Sequence, residues 1–329
     1  MIVHILLFIL GLILLIKGGD WFVDGATGIA KKFHVPEIII GATVVSIGTT
    51  LPEVLVSATG AATGHGAMAY GNAIGSIICN TALVAAITVA VKPGKINKKS
   101  LVIPVIFFFA AAIFYAGNAY VFGEFKRWSG IVLLVTFFVY MFILVKQALK
   151  PGNEDMVENE EEGDDKEKAM WLVVVLLVVG AALIAVGANL LVNHGIAIAG
   201  ALGVPETVIA LTFVALGTSL PELVTAITSL AKGHGALSLG NVCGANLFNL
   251  VLVSGLSITI GPFKIAAPDF SVMNLGGKEV FSSLVVDTPL MLIVMAILTI
   301  PALIKGKLSR WQGIILLVLY AAFTVSQFI

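Results

Sequence analysis

The chain contains 329 residues, of which 59% are hydrophobic and only 12% are charged, whereas water-soluble domains carry about 25% charged residues. Lysine and arginine together number 19, as do aspartate and glutamate, so the net charge is zero. This composition excludes an ordinary soluble globular protein and gives no indication of a nucleic-acid partner, and it predicts an integral membrane protein. The two cysteines, Cys79 and Cys243, lie in different apolar stretches and predict no disulfide.

Apolar stretches long enough to cross a bilayer recur along the whole chain. A helix needs about 20 such residues to span the hydrocarbon layer, and the stretches are continuous rather than alternating, which favours helices over a β-barrel. The first stretch has neither a cationic leader nor a small-residue cleavage site, so we interpret it as a retained helix. Ten spans are predicted, at residues 3–18, 37–62, 69–91, 100–118, 128–147, 171–188, 205–230, 237–260, 284–303 and 312–328.

The positive charges predict the orientation of these spans. If the spans alternate and the N-terminus lies outside, 15 of the 19 lysine and arginine residues fall on the cytoplasmic side. Only Lys126, Arg127, Lys264 and Lys278 then fall outside. Because an excess of positive charge marks cytoplasmic loops, we expect a multi-pass protein of the cell membrane whose N-terminus lies outside.

The two halves of the chain repeat each other at a constant offset of 169 residues. The string GTTLPE at 48–53 returns as GTSLPE at 217–222, and GNAIGSIICN at 71–80 returns as GNVCGANLFN at 240–249. Each half contains five predicted spans, and an odd number inserts the second copy the other way up. The predicted fold class is therefore an all-α polytopic membrane protein with ten transmembrane helices in two inverted-topology repeats. Transporters of this architecture bind their substrates near the membrane midplane.

A short acidic segment separates the two repeats. The repeats occupy residues 1–150 and 170–329, with their matching motifs at about 41–81 and 210–250. Between them lies NEDMVENEEEGDDKEK, which contains nine carboxylates and no hydrophobic periodicity. We interpret residues 151–169 as a solvated cytoplasmic linker, with a weak calcium-attracting or regulatory segment as the alternative.

Gly48 and Pro52 predict a break near the middle of the second span. Pro52 has no N–H, so the carbonyl of Gly48 loses its hydrogen-bond donor, and Gly48 adds flexibility where the strain falls. Unpaired carbonyls in a membrane are tolerated only where they line a polar cavity. Since carbonyl oxygens are good ligands for hard cations, the break predicts a cation site.

Oxygen-bearing side chains surround this break in both repeats. They recur at intervals of three or four residues and therefore share helix faces. These motifs contain neither a thiolate pair nor a histidine, which disfavours zinc, copper and iron. The first repeat contributes Ser46, Thr49, Thr50, Glu53, Ser57, Asn72, Ser76 and Asn80, and the second contributes Thr218, Ser219, Glu222, Asn241 and Asn249.

Glu53 and Glu222 carry the only charges in these motifs. An ionised carboxylate at mid-bilayer costs about 2.5–3.5 kcal/mol, so each must be protonated, paired or metal-bound. We expect the two to face each other and to share mobile cations; the alternative is two neutral acids that bond neighbouring helices. Two carboxylates balance one divalent or two monovalent ions, so competition for the pair would couple two ions without another energy source.

At these residues the chain resembles the cation/calcium exchanger superfamily, specifically the archaeal and bacterial sodium/calcium exchangers. The matching motifs are GATVVSIGTTLPEVLVSA with GNAIGSIICN, and ALTFVALGTSLPELVTAI with GNVCGANLFN, and the resemblance covers nearly the whole chain. It implies an antiporter, not an enzyme, which exports Ca²⁺ in return for entering Na⁺ by alternating access. It further implies that Ca²⁺ and Na⁺ are transported ions, that no cofactor is needed, and that a monomer in the lipid bilayer suffices.

The resemblance also implies a role for each matching residue. Glu53 and Glu222 would be the central ligands for both ions, and spans one and six would be the mobile pair. The remaining ligands would be hydroxyl or carbonyl oxygens of Thr49, Thr50, Thr218 and Ser219, the side chains of Ser76, Asn80 and Asn249, and the main-chain carbonyls of Ser46 and Ala215.

Two residues depart from the pattern of the relatives. Ala245 stands where relatives often carry serine, which removes one hydroxyl from the expected sodium site. Asn249 stands where some relatives carry aspartate, so we expect two formal negative charges rather than three, which disfavours potassium co-transport.

Two other transport functions remain open from the sequence. A proton/calcium exchanger of the same superfamily would use Glu53 and Glu222 to release protons, although the flanking hydroxyls favour sodium. A calcium channel or leak is the other alternative, which inverted repeats and closely spaced oxygen ligands disfavour.

Overall fold

The computed structural model describes residues 1–148, 169–202, 217, 219–265, 272–275 and 278–326, and most of them are helical. The α-helices are α1 (Ile2–Phe33), α2 (Glu37–Ile40), α3 (Ser46–Ala62), α4 (Gly66–Cys79), α5 (Ala86–Val91), α6 (Lys98–Gly117), α7 (Arg127–Ala148), α8 (Met170–Ala201), α9 (Leu220–Ala231), α10 (Gly235–Phe248), α11 (Ser254–Ile260), α12 (Thr288–Lys305) and α13 (Arg310–Ser326). The acidic linker, residues 151–168, lies outside the described residues.

Eight helical segments in the described part of the chain are long and apolar enough to cross a membrane. They correspond to eight of the ten predicted spans. The other two, predicted at 205–230 and 312–328, are represented by the shorter apolar helices Leu220–Ala231 and Arg310–Val325, and most of residues 205–218 lie outside the described residues. The expectation of a multi-pass helical membrane protein is confirmed.

Helices α1 and α8 are longer than the hydropathy pattern predicted. The predicted spans ended at residues 18 and 188, whereas the helices continue to Phe33 and Ala201. Polar residues such as Asp20 in α1 and Asn189 in α8 end an apolar run but do not end a helix, so the backbone continues past the hydrophobic limit. α1 ends where His34 adopts a left-handed conformation (φ 52°) and Pro36 follows two residues later.

Five π-helical turns interrupt the α-helical pattern in the described part of the chain, and the sequence did not predict them. Two of them begin at Asn80 and Asn249, which are equivalent positions of the two sequence repeats. π-Turns are rare and occur often at functional sites. They are π1 (Gly41–Val45), π2 (Asn80–Ala85), π3 (Asn118–Phe122), π4 (Asn249–Val253) and π5 (Ser283–Asp287).

Short strands in two connections modify the predicted all-α class. Strand β1 (Glu124–Phe125) pairs antiparallel with β2 (Phe263–Lys264), and β3 (Val272–Leu275) pairs antiparallel with β4 (Lys278–Phe281). Glu124 lies opposite Lys264 and forms an ion pair with Lys126 at 2.9 Å. The hydrogen bond from Lys126 and the charges of both lysines lower the pKa of Glu124 below its usual value.

The chain forms two compact units, and each unit draws on both sequence repeats. The first unit contains Met1–Thr49 and Ala148–Asn241. Within it, α1 lies antiparallel along α8, and glycines on both helices bring the backbones together. A Cβ at Gly11 would lie 2.9 Å from the Gly187 carbonyl oxygen, and one at Gly18 would lie 2.9 Å from that of Gly180. Only glycine fits at such distances.

The second unit contains Thr50–Gln147 and Val242–Ile329, and aromatic side chains fill much of its interior. The Tyr115 and Phe125 rings lie 4.5 Å apart between centroids, and Phe125 and Phe263 lie 5.1 Å apart. These contacts join the strand pair β1–β2 to the end of α6. Cys79 and Cys243 are also buried in this unit, and neither forms a disulfide, as predicted.

Candidate cation site

In the first unit, Asn241 joins α10 to the first turn of α3. The Ser46 hydroxyl donates to the Gly41 carbonyl oxygen (2.7 Å) and lies 3.0 Å from the main-chain oxygen of Asn241. The Thr49 hydroxyl donates to Asn241 Oδ1 (3.3 Å). All three polar side chains are buried. Two residues predicted as ligands, Ser46 and Thr49, are thus held by Asn241, which the sequence grouped with the oxygen-bearing side chains around the break.

This contact depends on two glycines at the crossing of the segments. A Cβ at Gly240 would clash with the carbonyl of Ile38, and a Cβ at Gly41 would clash with the carbonyl of Leu237. The two backbones therefore meet directly, and Asn241, the residue after Gly240, is carried to the start of α3.

Glu222 lies in the first turn of α9 and is fully buried. The Thr49 hydroxyl and the backbone N–H of Glu222 itself approach its carboxylate, but neither oxygen has a hydrogen bond of regular geometry within the described residues. A helix N-terminus carries a partial positive charge, which favours a carboxylate at this position. Ser219, which precedes the helix, is buried and its hydroxyl also has no hydrogen-bond partner in the described part. Thr218 and Ala215 lie outside the described residues.

In the second unit, Asn72 of α4 holds the segment that carries Glu53. Its Nδ2 donates to the main-chain oxygen of Glu53 (3.2 Å) and to the Ser57 hydroxyl (2.8 Å). The Glu53 side chain is fully buried. Asn72 and Asn241 occupy equivalent positions in the two repeats, and each bonds to the helix that contains GTTLPE. The sequence grouped both asparagines with the polar faces but did not reveal that they fix α3; their common place after glycine in the two GN pairs is the signal.

The interruption predicted at Pro52 takes a different form. α3 continues through Pro52, so the proline removes one hydrogen bond inside a helix and does not end it. The irregular backbone lies about two turns earlier, in π1, directly before Ser46. In the second repeat the equivalent Pro221 lies in the first turn of α9, where a missing N–H has no cost.

Asn80 and Asn249 present buried amide groups that no side chain or backbone group in the described part of the chain satisfies. Both side chains are fully buried, and neither the oxygen nor the nitrogen of either amide has a hydrogen-bond partner there. The Thr50 hydroxyl is in the same situation. A buried polar group left unpaired costs about 1–3 kcal/mol, so these groups indicate a place for an ion or water.

The remaining predicted positions are also buried. Ser76 lies on α4 one turn before Asn80, and its equivalent Ala245 lies on α10 one turn before Asn249. The main-chain oxygen of Asn249 accepts a hydrogen bond from the Ser254 hydroxyl (3.0 Å). Position 85, equivalent to 254, is alanine, so the two repeats differ in how this carbonyl is bonded.

Replacing Asn72 with alanine is expected to weaken Ca²⁺ binding and to lower the free energy of unfolding by about 1–3 kcal/mol. The change leaves the Glu53 carbonyl without the amide donor and removes the donor to Ser57. Thermal unfolding with and without Ca²⁺ measures both effects. Ser57→Ala is the matched control: it removes one of the two bonds and should show a smaller loss. Equal stability of Asn72→Ala and the unmodified chain would contradict the role of Asn72.

Comparisons with known proteins agree over almost the full length. The family model described as sodium/calcium exchanger protein matches residues 3–146 and 172–329. An uncharacterized membrane protein of Methanocaldococcus jannaschii is 35% identical over 323 residues, which cover 95% of this chain and 94% of that protein. The sodium/calcium exchanger MaX1 of Methanosarcina acetivorans is 31% identical over 365 residues and 99% of both chains. The solved structure of the sodium-calcium exchanger NCX_Mj, soaked with Na⁺ and Sr²⁺, matches with a TM-score of 0.79, 33% identity and 99% coverage of both chains.

Proposed function

The chain belongs to the sodium/calcium exchanger family, and on that premise we propose that it is a secondary active antiporter that exchanges Na⁺ for Ca²⁺ across the membrane by alternating access. The observation that carries the proposal is the pair of fully buried glutamates, Glu53 and Glu222, at the same place in the strings GTTLPE and GTSLPE. The two transported ions are its substrates, and no cofactor enters the proposal.

Glu53 and Glu222 supply the charge for which the two kinds of cation compete. A buried carboxylate is stable in its ionised form only when a positive charge balances it. Two carboxylates match one Ca²⁺ or two Na⁺, so binding of one ion displaces the other, and the sodium gradient drives calcium movement. With Asn249 in place of an acid, the site carries two formal charges, which supports exchange without potassium.

The other ligands are neutral oxygen atoms. Support comes from the orphaned, buried polar groups of Thr50, Asn80, Asn249 and Ser219, and from the buried positions of Ser46, Thr49 and Ser76. Hard cations such as Ca²⁺ take six to eight oxygen ligands, many of them amide, hydroxyl and main-chain oxygens. Thr218 and the carbonyl of Ala215 complete the proposed set on the basis of the sequence repeat alone.

The proposal includes a topology. Ten spans in two inverted repeats place the N-terminus outside and the acidic linker in the cytoplasm, in keeping with the distribution of lysine and arginine. Helices α1 and α8, which carry no acidic ligand and whose glycines allow close backbone contact, move together as the mobile pair, and a monomer performs the transport.

The experiment that tests this function measures radiolabelled Ca²⁺ uptake into proteoliposomes loaded with Na⁺ and diluted into Na⁺-free medium. Uptake is expected only with an outward Na⁺ gradient, and not when K⁺ or Li⁺ replaces Na⁺. Uptake that follows an imposed pH gradient and ignores Na⁺ would show proton exchange instead. Uptake without any counter-ion gradient would show a channel or leak.

Replacing Ala245 with serine is expected to raise the apparent affinity for Na⁺ about three- to tenfold, with a smaller effect on Ca²⁺. The hydroxyl would restore, in the second repeat, the oxygen that Ser76 supplies in the first, and one additional ligand to a cation is worth about 1 kcal/mol or more. The Na⁺ concentration that gives half-maximal exchange is the measurement. The reciprocal change Ser76→Ala should lower Na⁺ affinity, and no response to either change would remove position 245 from the sodium site.

A further inference from the structure

His4 and His194 face each other across the α1–α8 contact. Their Nδ1 atoms are 3.0 Å apart, and the ring centroids are 5.2 Å apart at an interplanar angle of 53°. Both side chains are half-buried. His4 lies in the first turn of α1 and His194 near the end of α8, so the pair closes one end of this antiparallel helix pair.

The register of the two helices makes this position unusual. Gly18 contacts Gly180, and Gly11 contacts Gly187. The second contact lies seven residues closer to the N-terminus of α1 and seven residues closer to the C-terminus of α8. One more step of seven residues brings His4 opposite His194. At the two glycine contacts the backbones nearly touch. At His4 and His194 two imidazole rings meet instead, with their Nδ1 atoms directed at each other.

We propose that His4 and His194 form a binding site for a transition-metal ion of the Zn²⁺ or Ni²⁺ class, which links the adjoining ends of α1 and α8. Imidazole nitrogen is a preferred ligand for these ions, whereas the oxygen set around Glu53 and Glu222 suits hard cations. The site is therefore chemically distinct from the proposed exchange site, and the proposal does not depend on exchange activity.

The distance between the nitrogens fits a single ion. With metal–nitrogen bonds of about 2.0–2.1 Å, two nitrogens 3.0 Å apart subtend about 94° at the metal. This angle suits adjacent positions of an octahedral ion, and widening the separation to about 3.3 Å gives tetrahedral zinc.

The protonation of the rings allows the ion to enter without a large rearrangement. In the present contact the N–H of one Nδ1 donates a hydrogen bond to the other Nδ1, which is unprotonated. Both Nδ1 atoms become available when the donating ring moves its proton to Nε2, which is the other tautomer of neutral imidazole. No group of three or more histidine, cysteine or acidic side chains suited to a metal occurs in the described residues, so water completes the coordination of this half-buried pair.

The test is isothermal titration of Ni²⁺ and Zn²⁺ into the full chain in lipid nanodiscs, in excess Na⁺, after removal of any polyhistidine tag. One site is expected in the unmodified chain. His4→Gln and His194→Gln should each weaken it at least about tenfold, because each change leaves one protein ligand, and metal-induced thermal stabilisation should disappear with it.

Control variants make each outcome decisive. His65→Gln removes an exposed histidine and should leave the site intact. Glu53→Gln should also leave it intact; loss of the site there would mean that the metal binds the exchange ligands and would overturn the proposal. Equal affinity of His4→Gln and the unmodified chain would overturn it as well. Thermal unfolding without metal shows whether each variant is folded, and the electron paramagnetic resonance spectrum of bound Cu²⁺ should show two coupled nitrogens only in chains with both histidines.

Discussion

Glu53→Gln is expected to reduce Na⁺-dependent Ca²⁺ uptake by at least about a hundredfold, and Glu222→Gln should do the same. A hundredfold loss corresponds to about 2.7 kcal/mol of binding or transition free energy. Each change preserves the shape of a fully buried side chain but removes one of the two charges in the proposed site. One remaining carboxylate neutralises only one of the two charges of Ca²⁺. Binding would therefore leave one positive charge uncompensated in a buried site, which is costly.

Folding must be separated from transport in this experiment. Removal of a buried charge lowers the desolvation cost of the folded state, so both variants should be at least as stable as the unmodified chain without ions. Ca²⁺ should raise the unfolding temperature of the unmodified chain and should fail to do so in the variants, because only an ion that binds the folded state stabilises it.

A surface glutamate provides the matched control. Glu124→Gln makes the same chemical change in strand β1, where the half-buried carboxylate pairs with Lys126. Surface changes of this kind alter stability by less than about 0.5 kcal/mol, and uptake should be unchanged. If Glu53→Gln and Glu222→Gln transported as well as Glu124→Gln, the two buried glutamates would not be the shared ligands.

The helices could be predicted largely because each span is an independent hydrophobic segment. The apolar composition that drives a helix into the bilayer is visible in a window of about 20 residues. The ends of α1 and α8 could not be predicted in this way. Hydropathy indicates only where the apolar run ends, whereas the helices continue beyond it to Phe33 and Ala201. The π-turns at Asn80 and Asn249 are a difference of one residue in hydrogen-bond register, which leaves no trace in hydropathy.

The residue types of the candidate site were visible in the sequence, but most of their supporting contacts were not. Repetition of GTTLPE and GTSLPE identified the acids, since chance does not repeat such strings at a constant offset. Contacts between distant positions carry no local signal: Lys232 forms an ion pair with Asp24 at 2.7 Å, and His234 Nδ1 lies 2.7 Å from a carboxylate oxygen of Glu37. The link from Asn241 to Ser46 and Thr49 is of the same kind.

Gly240→Ala is expected to have the second-largest effect, a loss of about 1–3 kcal/mol of stability together with loss of most exchange activity. The added methyl group would clash with the carbonyl oxygen of Ile38, which belongs to the backbone and cannot turn aside. α10 must then move away from α2, and Asn241 moves with it. The contacts of Asn241 with Ser46 and Thr49 would lengthen, and the Thr49 hydroxyl would leave the Glu222 carboxylate.

Gly60→Ala distinguishes this steric effect from a general intolerance of alanine. Gly60 also lies within a helix and is buried, but a Cβ there would meet Met68 Sδ at 3.4 Å and the His65 carbonyl oxygen at 3.5 Å, which are ordinary contacts. Alanine is favoured over glycine in a helix interior by about 1 kcal/mol, so Gly60→Ala should keep or raise the unfolding temperature and retain exchange. If Gly240→Ala behaved like Gly60→Ala, the backbone contact at Ile38 would not be what positions Asn241. If Gly240→Ala alone lost both stability and Na⁺-dependent uptake, the role of Gly240 would be to let two backbones meet. The role of Asn241 would then be to use that contact to hold Ser46 and Thr49 of α3.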